Sequence, residues 1–275
     1  MFVSERLEKI LNLINEQGKV EVNKLSKYFK VSKDLIRKDL SKLEEQGLLE
    51  RTYGGAIKKR QLSKTITIAS RISENIEDKE IIAKKALKEL EENQIIFLDI
   101  SSINYIFAQE IIKNNLEITI ITNMIDIMHL FSLNPKIKTK LIGIGGNCNN
   151  IIDGFVGITS IQQIEKFNID KCFIGAIGVN IINGNVSTFD QEDGLTKSSI
   201  IRMSRKKYLI TEKSKIDQDG RYIFSNLKHF NFILTNNNLN SNIKKEIKNF
   251  NINYTSIKIG KITLGDKKNC RTIWL

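Results

Sequence analysis

Residues 20–56 read VEVNKLSKYFKVSKDLIRKDLSKLEEQGLLERTYGGA, and their spacing decides how the N-terminal end of the chain folds. Val22, Leu25 and Phe29 share one side of a short helix, and Lys30-Val31 form the turn that follows it. Ser32 stands where a hydroxyl can accept a free backbone N–H, the chemistry of a helix N-cap. The helix it opens runs to about Gln46, with Leu35, Ile36, Leu40 and Leu43 expected to face inward. Lys33, Asp34, Arg37, Lys38 and Ser41 are left for solvent. Beyond Gly47 the polarity alternates and Gly54-Gly55 supplies a hairpin turn. Upstream, Leu7, Ile10, Leu11 and Ile14 form the apolar stripe of an earlier helix, from about Ser4 to Gln17, which Gly18 ends. Three helices followed by a glycine-tipped hairpin outline a winged helix-turn-helix, a device that lays one helix in the DNA major groove.

The charge agrees with that outline. The chain has 275 residues, 41% hydrophobic content and a formal net charge of +12, enough for two cores and a polyanionic partner. Between Lys19 and Lys42 eight basic residues face three acidic ones, an excess of 8 − 3 = +5 on the suspected reading segment. A groove-bound helix reads base edges through its first residues and grips phosphates with flanking cations. Lys33, Asp34 and Arg37 are therefore expected at base edges and Ser32 and Lys38 at phosphates, with Arg51 and Tyr53 along the backbone beside the hairpin. Cys148, Cys172 and Cys270 are widely spaced and read as small buried hydrophobes in a reducing compartment. His129 and His229 are isolated, so neither a metal nor a cofactor is expected. No apolar run approaches the roughly 18–20 residues that cross a bilayer, and no signal peptide precedes the first helix. A cytoplasmic protein without a membrane partner is expected.

After the polar, basic stretch at Lys58, Lys59 and Arg60 to Ser63 the pattern changes. Strand-like runs appear at 94–98, 118–122, 137–142, 169–174, 207–211 and 232–235. Helical patterns lie at 79–91, 103–114, 126–131, 160–167, 195–204 and 241–250. This alternation predicts a mostly parallel α/β sheet with helices on both faces. The division expected is a DNA-binding domain over 1–58, a linker over 59–77 and an effector-binding domain over 78–275. Such sheets bind ligands at strand carboxyl ends near a topological switch point. Asp99, Ser101 and Ser102 follow the first run and open a helix whose free N–H groups attract anions. Thr122-Asn123 follow the second and Gly143, Gly145 and Gly146 the third. Gly175 and Gly178 come next, then Ser187, Thr188, Asp190, Glu192 and Asp193, with Lys197 one turn into a helix. Together they predict a polar, phosphate-compatible pocket.

ERLEKILNLI at 5–14 and VSKDLIRKDLSKLEEQGLLERTYGGA at 31–56 resemble the N-terminal domain of the DeoR family of bacterial transcriptional repressors. The likeness covers 5–57, with Leu35 where that family usually has threonine and Tyr53 where it usually has histidine. FLDISS, ITN, LIGIGG, DKCFIGAIG, STFDQEDGLTK and EKSK, spread over about 75–215, resemble its C-terminal sensor domain, part of a group that includes sugar-phosphate isomerases and CoA transferases. Arg71, Asn75, Lys79 and Ala83 fit the segment that leads into that domain. The resemblance implies a phosphorylated sugar or related metabolite as effector. It carries the binding role to Asp99, Ser101, Ser102, Thr122, Asn123, Gly145, Gly146, Asp190, Asp193 and Lys197, with Lys215 completing the last loop. The chain departs from the pattern at Ser101, where glycine is expected, and at Ile103-Asn104, where hydroxyl residues often continue. Asp193-Gly194 stand for the commoner Glu-Ala, and Glu212 for Asp.

Because the fold group contains isomerases, Asp99, Asp190, Asp193 and Lys197 could be cast as base and cation around an enediolate. An attached DNA reader has no purpose in a plain isomerase. The reading is therefore a DNA-binding regulator, a repressor of carbohydrate genes with no catalytic residues. A homo-oligomer, dimer or tetramer, would match repeated half-sites. The alternative is an isomerase-like enzyme with an accessory DNA-binding domain.

Overall fold

Gly18 decides where the first helix stops. In the computed structural model, which describes residues 2–58, 68–236, 239, 241–250 and 252–255, α1 (Val3–Gln17) ends as Gly18 adopts φ 75° and its N–H reaches the Ile14 carbonyl at 2.8 Å. There follow β1 (Lys19–Glu21), α2 (Val22–Phe29), α3 (Lys33–Glu45), β2 (Leu49–Thr52) and β3 (Gly55–Lys58). The three strands pair antiparallel in the order β1-β3-β2, so the expected hairpin has gained a third strand. Its two glycines do separate work. Gly54 turns the chain at φ 90°, whereas a Cβ on Gly55 would lie 2.1 Å from the Val20 carbonyl oxygen and part β3 from β1.

Ile10, Ile14, Val22, Leu25, Leu40, Leu43 and Leu49 fill the core of this unit. The buried stripe of α3 is Ile36, Asp39, Leu40 and Leu43, the i, i+3, i+4, i+7 pattern with a carboxylate on it. Leu35, expected inward, falls at the edge of that stripe and is only half-buried. Asp39 is neutralised from α1: Arg6 Nε donates to its Oδ2 at 2.6 Å and Nη2 to its Oδ1 at 3.1 Å. Both side chains are nearly sealed from water, at 6% and 5% exposure.

The chain divides into two compact units, Met1–Leu62 and Ser63–Leu275. In the second, α4 (Ile68–Ser73) and α5 (Ile76–Leu87) lead into β4 (Ile95–Leu98), α6 (Ser102–Asn114), β5 (Thr119–Thr122), α7 (Ile125–Ser132) and β6 (Lys140–Gly143). A hairpin of β7 (Asn147–Asn149) and β8 (Gly154–Val156) precedes α8 (Ile158–Ile164), β9 (Ile169–Gly175), β10 (Gly178–Val179) and β11 (Asn185–Thr188). Last come α9 (Gln191–Met203), β12 (Ser204–Ile210), β13 (Tyr222–Asn226), β14 (Phe232–Leu234), α10 (Ser241–Lys248) and β15 (Asn253–Thr255).

Seven strands form one sheet in the order β15-β14-β12-β9-β4-β5-β6, parallel at every pairing. Strand side chains alternate between faces. Ile96 and Leu98 therefore join Ile82, Ile106, Phe107 and Ile127 on one side. Phe97 joins Ile164, Ile200, Leu209 and Ile247 on the other. From β4 the chain winds outward through β5 and β6, then returns to β9 on β4's other flank, so the switch point lies between β4 and β9.

The short antiparallel strands β7, β8, β10, β11 and β13 escape the sequence reading because each has two to five residues and no long apolar run. The basic run 59–63 and Cys270 lie outside the described residues. Part of the stretch expected as linker is α4, whose Ile72 packs on the core of the second unit. Cys148, expected buried, is exposed on the β7–β8 hairpin. Cys172 is buried in the sheet, which pushes its thiol up to about 12.

Removing Asp39 leaves Arg6 as an uncompensated charge in the first core. Asp39→Ala should cost about 3–5 kcal/mol of local stability, read as lost amide-exchange protection in α1 and α3 of the full chain. Arg6→Met with Asp39→Leu should lose far less, and protection unchanged in Asp39→Ala would show the pair to be dispensable.

Candidate functional site

Two surfaces gather the residues singled out by the sequence. The first is the outer face of α3. Ser32 caps it, accepting the Leu35 N–H at 3.2 Å. The turn before it is pinned by Ser26, whose hydroxyl donates to the Val31 carbonyl at 2.6 Å. Lys30 completes that turn in the left-handed region, at φ 54°. Lys33, Asp34, Arg37, Lys38 and Lys42 are exposed. Arg37 Nη1 lies 2.6 Å from Asp34 Oδ1. With Asp34 matched and Asp39 turned inward, the solvent face keeps a cationic excess from Lys33, Lys38 and Lys42. Arg51 ties the hairpin to this helix: its N–H donates to Glu44 at 2.9 Å and its Nη1 to the Ser41 hydroxyl at 2.6 Å. Tyr53 stands fully exposed at the hairpin tip.

The second surface is a cavity at the β4/β9 switch point. Ile100, Ser101 and Ser102 line it after β4, and Gly175, Ala176 and Ile177 after β9. Arg71, Glu74, Asn75 and Lys79 close one side. Thr188, Phe189, Asp193, Lys197, Glu212 and Lys215 close another. Of the expected effector residues, Ser101, Ser102, Asp193, Lys197 and Lys215 thus line one cavity.

Asp99 lies beneath the wall. It is fully buried, and the Gly175 N–H donates to its two oxygens at 3.1 and 3.0 Å. Asn104 Nδ2 adds a bond at 2.7 Å, and the Lys197 ammonium is hydrogen-bonded to Asp99 Oδ2. Lys197 Nζ also stands 3.7 Å from Asp193 Oδ1, and Thr188 donates to the other Asp193 oxygen. Two carboxyl groups share one ammonium. Burial raises both the Asp99 and the Asp193 carboxyls above the usual range, against the pull of Lys197. Burial also works against the charged Lys197, but Asp193 and Asp99 outweigh it and hold its pKa above the ordinary lysine value. The three titrate as a unit with the lysine protonated.

Arg71 is the opposite case. Its Nε and Nη2 are buried and have no hydrogen-bond partner among the described residues, while its guanidinium carbon sits 4.9 Å from the Phe189 ring centroid. Burial lowers its pKa, with Asp193 and Asp99 pulling it back up, and a guanidinium so placed stays charged. Lys79, next to it, is committed to structure: it donates to the carbonyls of Arg71 and Glu74 and stands 3.9 Å from Glu212 Oε1. Asn75 Nδ2 bonds the other Glu212 oxygen at 2.9 Å. Lys215 is half-buried at the cavity edge.

The remaining expected residues are not on the cavity wall. Thr122 donates to the Leu98 carbonyl at 2.7 Å and Asn123 to the Phe155 carbonyl at 2.8 Å, bracing the loop after β5. Gly145 accepts from Ser160 at 2.9 Å and from Gln163 at 3.1 Å, packing the loop after β6 on α8. A Cβ on Gly146 would lie 2.3 Å from the Ser160 hydroxyl. Asp190 caps α9, accepting the Asp193 N–H at 2.9 Å. Loops after β5 and β6 lie one and two strands beyond β4, away from the switch point. The spacing reading passed over Arg71 and Asn104, because a lone basic residue in a short helix and a lone Asn carry no sequence pattern. Among the described residues no helix is long and apolar enough to cross a membrane, and no His/Cys/Asp/Glu group could hold a metal ion.

Residues 6–61 match the DeoR-like helix-turn-helix domain and residues 74–237 the DeoR C terminal sensor domain. The lactose phosphotransferase system repressor of Staphylococcus epidermidis is 30% identical over 85% of this chain and 92% of its own. The transcriptional regulator GolR of Listeria innocua is 34% identical over 78% of this chain and 80% of its own. Ribose 5-phosphate isomerase A from Neisseria gonorrhoeae overlays 50% of this chain and 52% of its own at 17% identity and TM-score 0.37, too partial a likeness to bear on activity. With both domains matched in order, a reading helix on one unit and a switch-point cavity on the other, the chain belongs to the DeoR family of transcriptional regulators.

Proposed function

We propose that this regulator is a repressor of carbohydrate genes whose operator binding is governed by a phosphorylated sugar held in the β4/β9 cavity. The unpartnered Arg71 guanidinium in that cavity carries the proposal. A buried charge without a hydrogen-bond partner is costly unless a ligand completes it, and a phosphate or carboxylate is its natural complement. Lys215 adds charge at the cavity edge, and Asp193, Ser102 and Thr188 offer groups for sugar hydroxyls. The name of the staphylococcal relative, a repressor of a sugar phosphotransferase system, supports the same effector class.

In this reading residues 1–58 bind DNA, with Lys33, Asp34 and Arg37 at base edges, Ser32 and Lys38 at phosphates, and Arg51 and Tyr53 beside the backbone. Residues 59–77 connect, although Arg71 and Asn75 already serve the cavity, and 78–275 complete the sensor. A homodimer or tetramer would present paired reading helices to repeated half-sites. The effector binds without turnover. Asp99, the base of an isomerase reading, is fully buried and engaged by Lys197, Gly175 and Asn104, which leaves it no approach to a substrate carbon.

Arg37→Ala should weaken operator binding by about 1–3 kcal/mol if it contacts bases, with melting temperature unchanged. Wild-type affinity in a mobility-shift titration would remove it from the interface. Binding by the unaltered chain should fall steeply with salt as counterions are released; a flat profile contradicts phosphate gripping.

Arg71→Met should spare operator binding and abolish release by sugar phosphates. Release by a panel of such esters at wild-type concentrations would place the effector elsewhere.

Lys197→Met strands two buried carboxyl groups and should cost the sensor about 3–5 kcal/mol near neutral pH. Both carboxyls are held above their unfolded values. Their contribution is therefore complete at pH below the ordinary carboxylate range and is lost as pH rises through the raised folded values. The variant should regain melting temperature as pH falls from about 8 towards about 5; a profile parallel to wild type would mean the triad is not the seat of the loss.

A further inference from the structure

We infer that Ser101 sets the charge selectivity of the cavity: it closes the α6 end to anionic groups, so that end takes a neutral hydroxyl or carbonyl of the effector. This deepens the proposed function and rests on it only for the identity of the cavity as the effector site.

The first turn of a helix offers free N–H groups to an anion. In α6 they are already used. Ser101 Oγ accepts from Ile103 N at 3.2 Å and from Asn104 N at 3.4 Å, and the Ser101 carbonyl accepts from Tyr105 N at 3.1 Å. What remains for a ligand from this end is the N–H of Ser101 and the N–H and hydroxyl of Ser102. These neutral donors suit an uncharged oxygen; a phosphate with three terminal oxygens would need the Ile103 and Asn104 amides that Ser101 occupies. The Ser101 side chain is also wedged in place. It backs onto Gly175, where an added Cβ would lie 2.6 Å from Ser101 Cβ and 2.8 Å from its Oγ. The hydroxyl cannot easily swing aside to release the amides, because Ser101 is only 6% exposed.

Charge points the same way. The group beneath this end is the Asp99 carboxyl, bonded through Gly175 and Asn104, and its ammonium partner Lys197 is shared with Asp193. Among the described residues the cations lining the cavity without a carboxylate or carbonyl partner are Arg71, on the wall built by α4, and Lys215 at the edge; neither lies on α6. A singly phosphorylated ligand therefore lies with its phosphate on Arg71 and an uncharged oxygen at Ser102. A bisphosphate would force its second anion against a capped helix.

Ser101→Gly removes both the acceptor and its Cβ, and glycine is itself a tolerated N-cap. Ser101→Ala removes the acceptor and keeps the Cβ, as a second variant should the first fold poorly. The full-length chain would be titrated with inorganic phosphate while the Arg71 Nε–H and the amide protons of Ile103 and Asn104 are followed by NMR. In the wild type the Arg71 signal should move and the two amides should not. In the variants the two amides should move as well, with apparent affinity gained at least about tenfold, the worth of one charge-assisted hydrogen bond. Phosphate-dependent shifts of Ile103 and Asn104 in the wild type, or none in either variant, would overturn the role of Ser101. An Arg71 signal that stays still in every protein would instead overturn the anion site of the proposed function, and the amide shifts would still judge Ser101.

Discussion

One ammonium group organises the sensor. Lys197 extends from α9 to the carboxyl of Asp99, which follows β4, and to that of Asp193 one turn earlier on its own helix. Asp99 in turn holds the Gly175 N–H at the end of β9. Three elements that meet at the switch point are thus fixed by charge, in a setting where hydrophobic packing alone would leave strand ends free to splay. The arrangement is expensive in desolvation and tolerable only because each charge has a partner. On the proposed function, the effector meets walls fixed by a floor whose charged groups are already committed.

The charged groups of the floor are committed, while Asn104 Oδ1 beside Asp99 is, like two nitrogens of Arg71, buried without a partner among the described residues. Around the cavity Lys79 is spent on the carbonyls of Arg71 and Glu74, Glu212 on Asn75, and Lys197 on two carboxyls. Arg71 sits among these satisfied groups with two buried nitrogens unmatched, steadied by the Phe189 face. Its backbone carbonyl is held by Lys79, so the side chain is presented while the main chain is fixed. On the proposed function, that asymmetry marks where the anion of the effector is held.

The strands and helices of the sheet were legible because continuous apolar runs such as Ile95-Ile96-Phe97-Leu98 mark strands buried on both faces, with apolar residues at helical period between them. The reading helix was legible for the same reason, with Ser32 marking its start. What escaped has a common cause. Asp39 on the stripe of α3 looks like a surface acid until Arg6, 33 residues away, is seen to neutralise it. Asn123 and Gly145 follow strands as Ser101 does, and nothing local says that β5 and β6 lie beyond the switch point. Sequence period reports which face a residue takes; which strand neighbours which is a property of the whole sheet.

The same separation between local and global bears on control. A ligand shifts an equilibrium only by the difference in its affinity for the two states. Moving a population from about 1:99 to 99:1 takes about 5.5 kcal/mol of such difference. The Asp99–Lys197–Asp193 cluster is satisfied without ligand, so contacts there offer little that changes. Arg71 is different: two charge-assisted hydrogen bonds at about 1.5–3 kcal/mol each would approach the required sum where they form in one state and not in the other. It also sits on α4, which begins at Ile68, ten residues after β3 ends at Lys58. On the proposed function, the one side chain with most to gain from an anion is on the first described helix after the DNA-binding unit.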